Sequence, residues 1–506
     1  MGNPKRNRHG RENKLAQRAT KDSFLPCPPG AYGADYKPLS ELDMRAIFEM
    51  AMKILSQVGI GEVPDRLRSD LRSVGAGDLS DDRMSLPPAL VQAAINSAAK
   101  SFPLHGRDDS RTITVGENRV FFGTGGAAVQ TLDIETGCYR PSTLQDLHDF
   151  TRLQDTLTNV SWFTRCCIAT DIEDSFDLDV NTAFALLKNT TKPVGTAFTQ
   201  AEHVRPIVEM LDIATGGKGM FVRKPFLKAH ISPIISPLRF GADAVEVVYE
   251  CIAHNIPISC ITAAQSGATA PATLAGFLAQ SLAETLCSLV MVHAIRPGFP
   301  MIFSNWPFVI DLRTGAFSGG NGETALLNAA SAQLSNWLGL PSGVAASMTD
   351  AKAVDSQHGM EKAQTSLAAA LAGGNLIYES SGMTAALLGA SFEAFVLDNE
   401  MHAATYRILR GIEVNARTLD FDGIKDAVLG EGHFLGAPAT YDAMERDYFY
   451  PSLADRADPQ SWESQGSSTA WTRANSVARD ILASHHPNYI CEALEEEIRA
   501  QFNILM

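Results

Sequence analysis

The stretch Ile256–Asn305, "IPISCITAAQSGATAPATLAGFLAQSLAETLCSLVMVHAIRPGFPMIFSN", decides the fold. Its first seven residues are mostly β-branched or apolar and too few for a helix, so they read as a short buried strand. The loop "AAQSGATAPATLAG" follows, rich in small residues. The apolar run Ala275–Ile295 comes next. It carries Gln280, Glu284 and His293, so it reads as a buried helix and not as a membrane span. "RPG" ends that helix, and "FPMIFSN" (299–305) reads as the next strand. Strand, loop, helix, strand in this order is a βα unit, which implies parallel strands joined by a right-handed crossover.

The same alternation runs from 142 to 411. Further strands are expected at "VSWFTRC" (160–166), "KPVGTAFT" (192–199), "FLKAHISPI" (226–234), "SGVAAS" (342–347) and "NLIYESS" (375–381), with helical runs between most of them. Seven strands, plus one without a clear place, favour an α/β protein built on a closed (β/α)8 TIM barrel over an open doubly wound sheet. Residues 40–141 read as an N-terminal extension. A helix capped by Ser40, with Asp43 three residues on, leads into β-hairpins over 111–141, where "GEN" and "ETG" supply turn chemistry. Residues 412–506 read as a C-terminal segment wrapping the barrel.

The chain has 506 residues, 45% of them hydrophobic, which is ample for a large core. A formal net charge of −15 argues against nucleic acid as a partner, because nothing balances the phosphates. The first twenty-one residues are the exception, with seven Lys or Arg against one Glu. They have no apolar stretch of the kind a secretory signal needs, and residues 1–39 are expected to form a basic, poorly ordered tail. Eight cysteines without CxxC or regular spacing suit reduced thiols in a cytoplasmic protein, with no membrane as partner.

Several familiar motifs fail. "FFGTGGAA" (121–128) satisfies G-x-G-x-x-A, but β-like sequence follows it where a nucleotide fold needs a helix. No HExxH, phosphate-binding loop or GxSxG elbow occurs, and no His/Cys cluster at zinc spacing lies in the βα loops, so no bound metal is expected. Asp146 and His148 begin the Asp-x-His-x-x-Gly motif of cobalamin carriers, but Thr151 stands where the glycine should be.

In a barrel the loops after the strands converge on one mouth. Those loops bring Gln265, Trp306, Phe308, Glu323, Asp350, Gln357, His358 and Glu379 together as candidates. Carboxylates with aromatic faces suit a cation, and carboxylates poised by burial suit proton chemistry. Plainer roles compete. Trp306 and Phe308 also read as core, Asp350 and Asp355 as helix caps, and His358 as a satisfied structural histidine.

The segments "NTTKP" (189–193), "SGATAPATLAGFLAQSLAE" (266–284), "LRTGAFSGGNGE" (312–323), "MTDAKAVDSQHGMEK" (348–362), "GASFEAFVLDNEM" (389–401), "GEGHFLG" (430–436) and "YPSLADR" (450–456) occur in an order that resembles the trimethylamine methyltransferase family. The resemblance covers about 40–480. It implies a TIM barrel whose mouth binds a methylated amine and docks a separate corrinoid protein, in one-carbon metabolism. The founding branch carries pyrrolysine, whereas this chain runs through as ordinary residues, and it resembles the branch associated with glycine betaine. The expectation is therefore methyl transfer from a quaternary amine to a partner's cobalamin, by a homo-oligomer that binds no cofactor of its own. His358, Asp350 and Gln357 would be catalytic. Trp306, Phe308, Gln265, Glu323, Glu379 and Asp355 would bind substrate, with Arg165, Arg313 or Lys352 available for a carboxylate. An acid–base lyase or isomerase using Asp350 and His358, and a non-catalytic betaine-binding scaffold, are the competing readings.

Overall fold

The computed structural model describes residues 26–506, so most of the basic tail expected at 1–39 lies outside the described residues. Eight parallel strands form one sheet. They are β1 (Phe121–Phe122), β2 (Phe163–Thr164), β3 (Val194–Thr196), β4 (Leu227–Ile231), β5 (Ile258–Thr262), β6 (Met301–Asn305), β7 (Ser342–Ala345) and β8 (Leu376–Tyr378). Each pairs with the next from β2 to β8, and β8 pairs with β1 through Leu376–Phe121 and Ile377–Phe122. A parallel bridge from Gly123 to Trp162 joins β1 to the approach of β2 and closes the barrel. A Cβ on Gly123 would fall 2.3 Å from the Trp162 indole, so this closure requires glycine.

A helix follows every strand. The eight are Leu144–Asp155, Ser175–Asn189, Val204–Ala214, Ala242–Ala253, Leu274–Ile295, Gly322–Trp337, Ser356–Leu371 and Phe392–Leu409. The fold is a (β/α)8 TIM barrel. The strand that sequence periodicity does not place is β1, inside the segment read as hairpins. The barrel therefore begins at Phe121 and not at 142. Two strand residues followed by a Gly-rich turn carry too little period to register as a strand.

The rest of the N-terminal region does form hairpins, and one has a structural task. Ser101–Leu104 pairs with Ile113–Gly116, and Phe102, Leu104, Ile113 and Val115 join one apolar cluster with Phe121, Trp162, Ile302 and Leu376. Phe121 and Leu376 open their strands, so the hairpin plugs the N-terminal end of the barrel. Burial of each such side chain contributes roughly 1.5–3 kcal/mol. The Ser40–Asp43 capping box starts helix Glu41–Gln57.

Helix Leu274–Ile295 is long and apolar enough to cross a membrane, but 83% of its most apolar window is buried against the rest of the chain. Its buried Glu284 accepts hydrogen bonds from Ser236 Oγ (2.7 Å) and the Leu238 amide (2.9 Å). It packs as a core helix. At the C-terminus, helix Ala470–Ser484 lies against Phe392–Leu409 and Leu144–Asp155, and Glu492–Gln501 lies against Val204–Ala214. Helices Phe421–Leu429 and Pro438–Arg446 contain no buried residue, and Ile412, Leu429 and Leu435 are exposed.

Candidate active site

Alternate residues of a barrel strand face inward, and branched aliphatics usually fill that space. Here the filling is polar and aromatic. Inward positions include Trp162 and Thr164 at β2, Lys228 and His230 of β4, Ser259 of β5, Ser304 of β6, Trp306 just beyond it, and Tyr378 of β8. Hydrogen bonds between strands establish the facing. Tyr378 donates to Ser259 Oγ (3.0 Å), Ser259 and Ser304 share a bond of 2.7 Å, and Lys228 Nζ donates to Thr164 Oγ1 (2.9 Å).

Tyr378 is the hub of an aromatic cage. Its ring centroid lies 4.5 Å from that of Trp162, 5.0 Å from Trp306 and 5.6 Å from His230. Phe308 continues the cage outward and meets Phe317 edge-on at 4.9 Å. Polar atoms buried this deeply ordinarily have partners. Yet Trp162 Nε1, Trp306 Nε1 and His230 Nδ1 find none among the described residues. They leave hydrogen-bonding capacity unused inside the barrel.

Glu379 follows Tyr378 in a left-handed backbone conformation (φ 60°), which takes its side chain out of the strand's alternation. It is fully buried, and neither carboxylate oxygen has a hydrogen-bond partner among the described residues. Burial pushes its pKa up to about 8, with the charge of Lys362 pulling the other way. Its carboxylate rests on the loop after β1. A Cβ on Gly125 or Gly126 would stand 2.9 or 2.6 Å from its oxygens. The glycines of "FFGTGGAA" thus admit a carboxylate and not a pyrophosphate.

Behind Glu379 lies a buried ionic cluster. Asp398 Oδ2 meets Lys362 Nζ at 2.7 Å and accepts the Gly382 amide at 2.8 Å, while Oδ1 lies 3.6 Å from His358 Nε2. Burial alone would raise the Asp398 carboxyl, but Lys362, His358 and His402 together hold it at about 2. Burial drives His402 down to about 3, and its Nε2 bonds Ser381 Oγ at 3.0 Å. The cluster anchors the segment that carries Glu379.

Of the residues singled out from sequence, Trp306, Phe308 and Glu379 converge inside the mouth. His358 is buried but faces Asp398 from the first turn of its helix. Asp355 is that helix's N-cap, accepting the amides of Gln357 and His358. Asp350 accepts from Ser318 Oγ and the Gly319 amide, both at 2.7 Å, tying two rim loops together. Gln357 is exposed and donates to Glu361 (2.8 Å), which also accepts the Asp350 amide. Glu323 is exposed in the first turn of its helix. Gln265 is half-buried on the rim, where its strand pairs with Phe308. Asp350 and Gln357 are thus engaged in holding the rim, whereas both ring nitrogens of the buried His358 find no hydrogen-bond partner among the described residues. Arg313 is exposed and paired with Asp311, and Lys352 donates to the Asp350 carbonyl. Arg165 ends β2, half-buried. Asp146 and His148 are bound by Arg140 and Asn189. Sequence reading missed Trp162, Lys228, His230 and Tyr378. The available signal was Lys and His at alternate positions of the apolar strand "FLKAHI".

The profile of the trimethylamine methyltransferase (MTTB) family matches residues 5–503. The chain belongs to that family. It is 29% identical over 469 residues to a glycine betaine methyltransferase of Desulfitobacterium hafniense, covering 92% of this chain and 95% of that one. It is also 29% identical over 476 residues to the trimethylamine methyltransferase MttB of Methanosarcina thermophila, covering 92% and 97%. A solved dihydropteroate synthase of Coxiella burnetii covers 62% of this chain and 100% of its own, at 14% identity and a TM-score of 0.37. This MTTB family member is thus a methyltransferase on a barrel whose mouth is lined by Trp306, Phe308, Tyr378 and Glu379.

Proposed function

We propose that this MTTB family member moves a methyl group from a quaternary amine of the glycine betaine kind to the Co(I) of a separate corrinoid protein. One observation carries the reading: a fully buried carboxylate, Glu379, with both oxygens unpartnered, beside an aromatic cage. Ring faces attract a quaternary ammonium, and a carboxylate in a poorly screened interior adds strong attraction. The relatives' names support the substrate class.

The partner's Co(I) supplies the nucleophile, so this chain needs none. That agrees with Ser259, Ser304 and Tyr378, whose hydroxyls are bonded to one another and not to a base. The N–CH₃ bond breaks with its electron pair left on nitrogen, and the methyl group departs as a cation equivalent. The neutral tertiary amine that remains requires no proton donor. The task of Trp306, Tyr378 and Glu379 is to strip water from the cation and hold one N–CH₃ bond towards the rim. The rim residues Leu312 and Leu388, both exposed, offer an apolar face to the corrinoid protein. A cytoplasmic setting is supported by eight free thiols, and a homo-oligomer by the exposed apolar side chains between Ile412 and Leu435. The Asp350 carboxylate is taken up by Ser318 and Gly319, which weighs against an acid–base lyase that would use it.

The test is methyl transfer to free Co(I) cobalamin, followed by the cobalt spectrum, with glycine betaine, proline betaine, carnitine, choline and trimethylamine. Loss of the Co(I) signal with a quaternary amine is expected. Calorimetric binding without any methyl transfer would make the chain a binding scaffold.

A further inference from the structure

Lys228 has no place in the mechanism above, yet it sits at the centre of the barrel. Only 2% of it is exposed, and no carboxylate among the described residues pairs with it. Its ammonium has three donors and uses one, on Thr164 Oγ1. It lies 4.9 Å from the Trp162 ring centroid and 4.7 Å from that of Tyr378. A Cβ at Gly195 would stand 3.0 Å from Nζ, so β3 leaves space for the amine. A buried cation without a counter-charge is costly unless something else compensates it.

The neighbours share the imbalance. His230, two residues on and on the same face, has an unpartnered Nδ1, and the indole nitrogens of Trp162 and Trp306 are unpartnered donors. Burial, then the charges of Lys228 and Arg165, hold His230 neutral, which places all three basic groups together. The opposite imbalance stands at Glu379, which follows Tyr378 and whose carboxylate oxygens are both unpartnered. Lys228 lacks a paired carboxylate, and Glu379 lacks a hydrogen-bond donor, among the described residues.

We infer that the interior is a two-ended site for a zwitterion, with Lys228 binding the carboxylate of the substrate while Glu379 and the aromatic cage take its quaternary ammonium. The cationic half rests on the function proposed above; the anionic half rests on Lys228 and its neighbours alone. Lys228 is then the residue that separates betaines from methylamines lacking a carboxylate.

The test is calorimetry on the full chain with three probes: glycine betaine, tetramethylammonium, and 3,3-dimethylbutanoate, the uncharged-carbon isostere that keeps only the carboxylate. Wild-type protein is expected to bind glycine betaine at least tenfold more tightly than tetramethylammonium, and to bind 3,3-dimethylbutanoate. Lys228→Met should remove that preference and the binding of 3,3-dimethylbutanoate, with tetramethylammonium unchanged. Equal wild-type affinity for glycine betaine and tetramethylammonium overturns the inference, and needs no variant that folds. Equal losses for all three probes in Lys228→Met overturn it too, since they indicate a structural role. Binding of 3,3-dimethylbutanoate that depends on Lys228, without any of tetramethylammonium, upholds the anionic half and defeats the quaternary-amine reading.

Discussion

The loop after β7 and the barrel interior are both crowded with polar atoms at the same end of the molecule. In the loop, Asp350, Asp355, Gln357 and Glu361 bind one another's backbone or side chains, and little capacity is left over. In the interior, Glu379, His230, Trp162 and Trp306 keep buried atoms without partners among the described residues. A satisfied network stabilises and positions, whereas an unsatisfied buried one lowers stability and must be offset by a ligand. Polarity alone does not mark a site; unengaged polarity in a buried place does.

The sharpest break of this contrast is at the satisfied extreme. Asp398→Asn leaves Lys362 buried without its counter-charge and should lower stability by about 3–5 kcal/mol in denaturant unfolding. A change below about 1 kcal/mol would show that the cluster is not the anchor argued here. At the other extreme, Glu379→Gln should reduce methyl transfer by roughly a hundredfold, about 2.7 kcal/mol of barrier. It should nevertheless raise the melting temperature at pH 8, because an unpartnered buried charge is removed. Lost activity together with lost stability would place Glu379 on the structural side.

Trp306→Leu should weaken tetramethylammonium binding roughly thirtyfold, the ~2 kcal/mol of a desolvated cation–π contact. Titration of Glu379 should show in the same binding. Its pKa is raised to about 8 in the folded protein, above the ordinary carboxylate value, and a cation needs the charged form. Affinity for tetramethylammonium should rise about tenfold per pH unit from pH 6 and level near 8. Fold stability should run the opposite way over that window, because the folded chain holds a proton that the unfolded chain has released. Glu379→Gln should flatten both profiles. The smallest effect is expected at Asp355→Ala, about 1 kcal/mol from the lost helix cap, with turnover unchanged.

Local order sufficed for seven of the eight strands and the helices between them, since apolar runs and small-residue loops carry their own period. It also sufficed for Asp355, where a cap is legible from its neighbours, and for Trp306, Phe308 and Glu379 as mouth residues. It did not show that Asp350 and Gln357 tie rim elements together, because their partners Ser318 and Glu361 are chosen by packing of separate elements. Family membership and the barrel are thus properties of the chain as written. That β1 closes the barrel was decided only in three dimensions, where Gly123 lets Trp162 approach. So was the meeting of Lys228, Tyr378 and Glu379 around one interior, because inward facing depends on strand register and on a single positive φ at Glu379. Those are set by contacts between residues far apart in the chain, which no local pattern records.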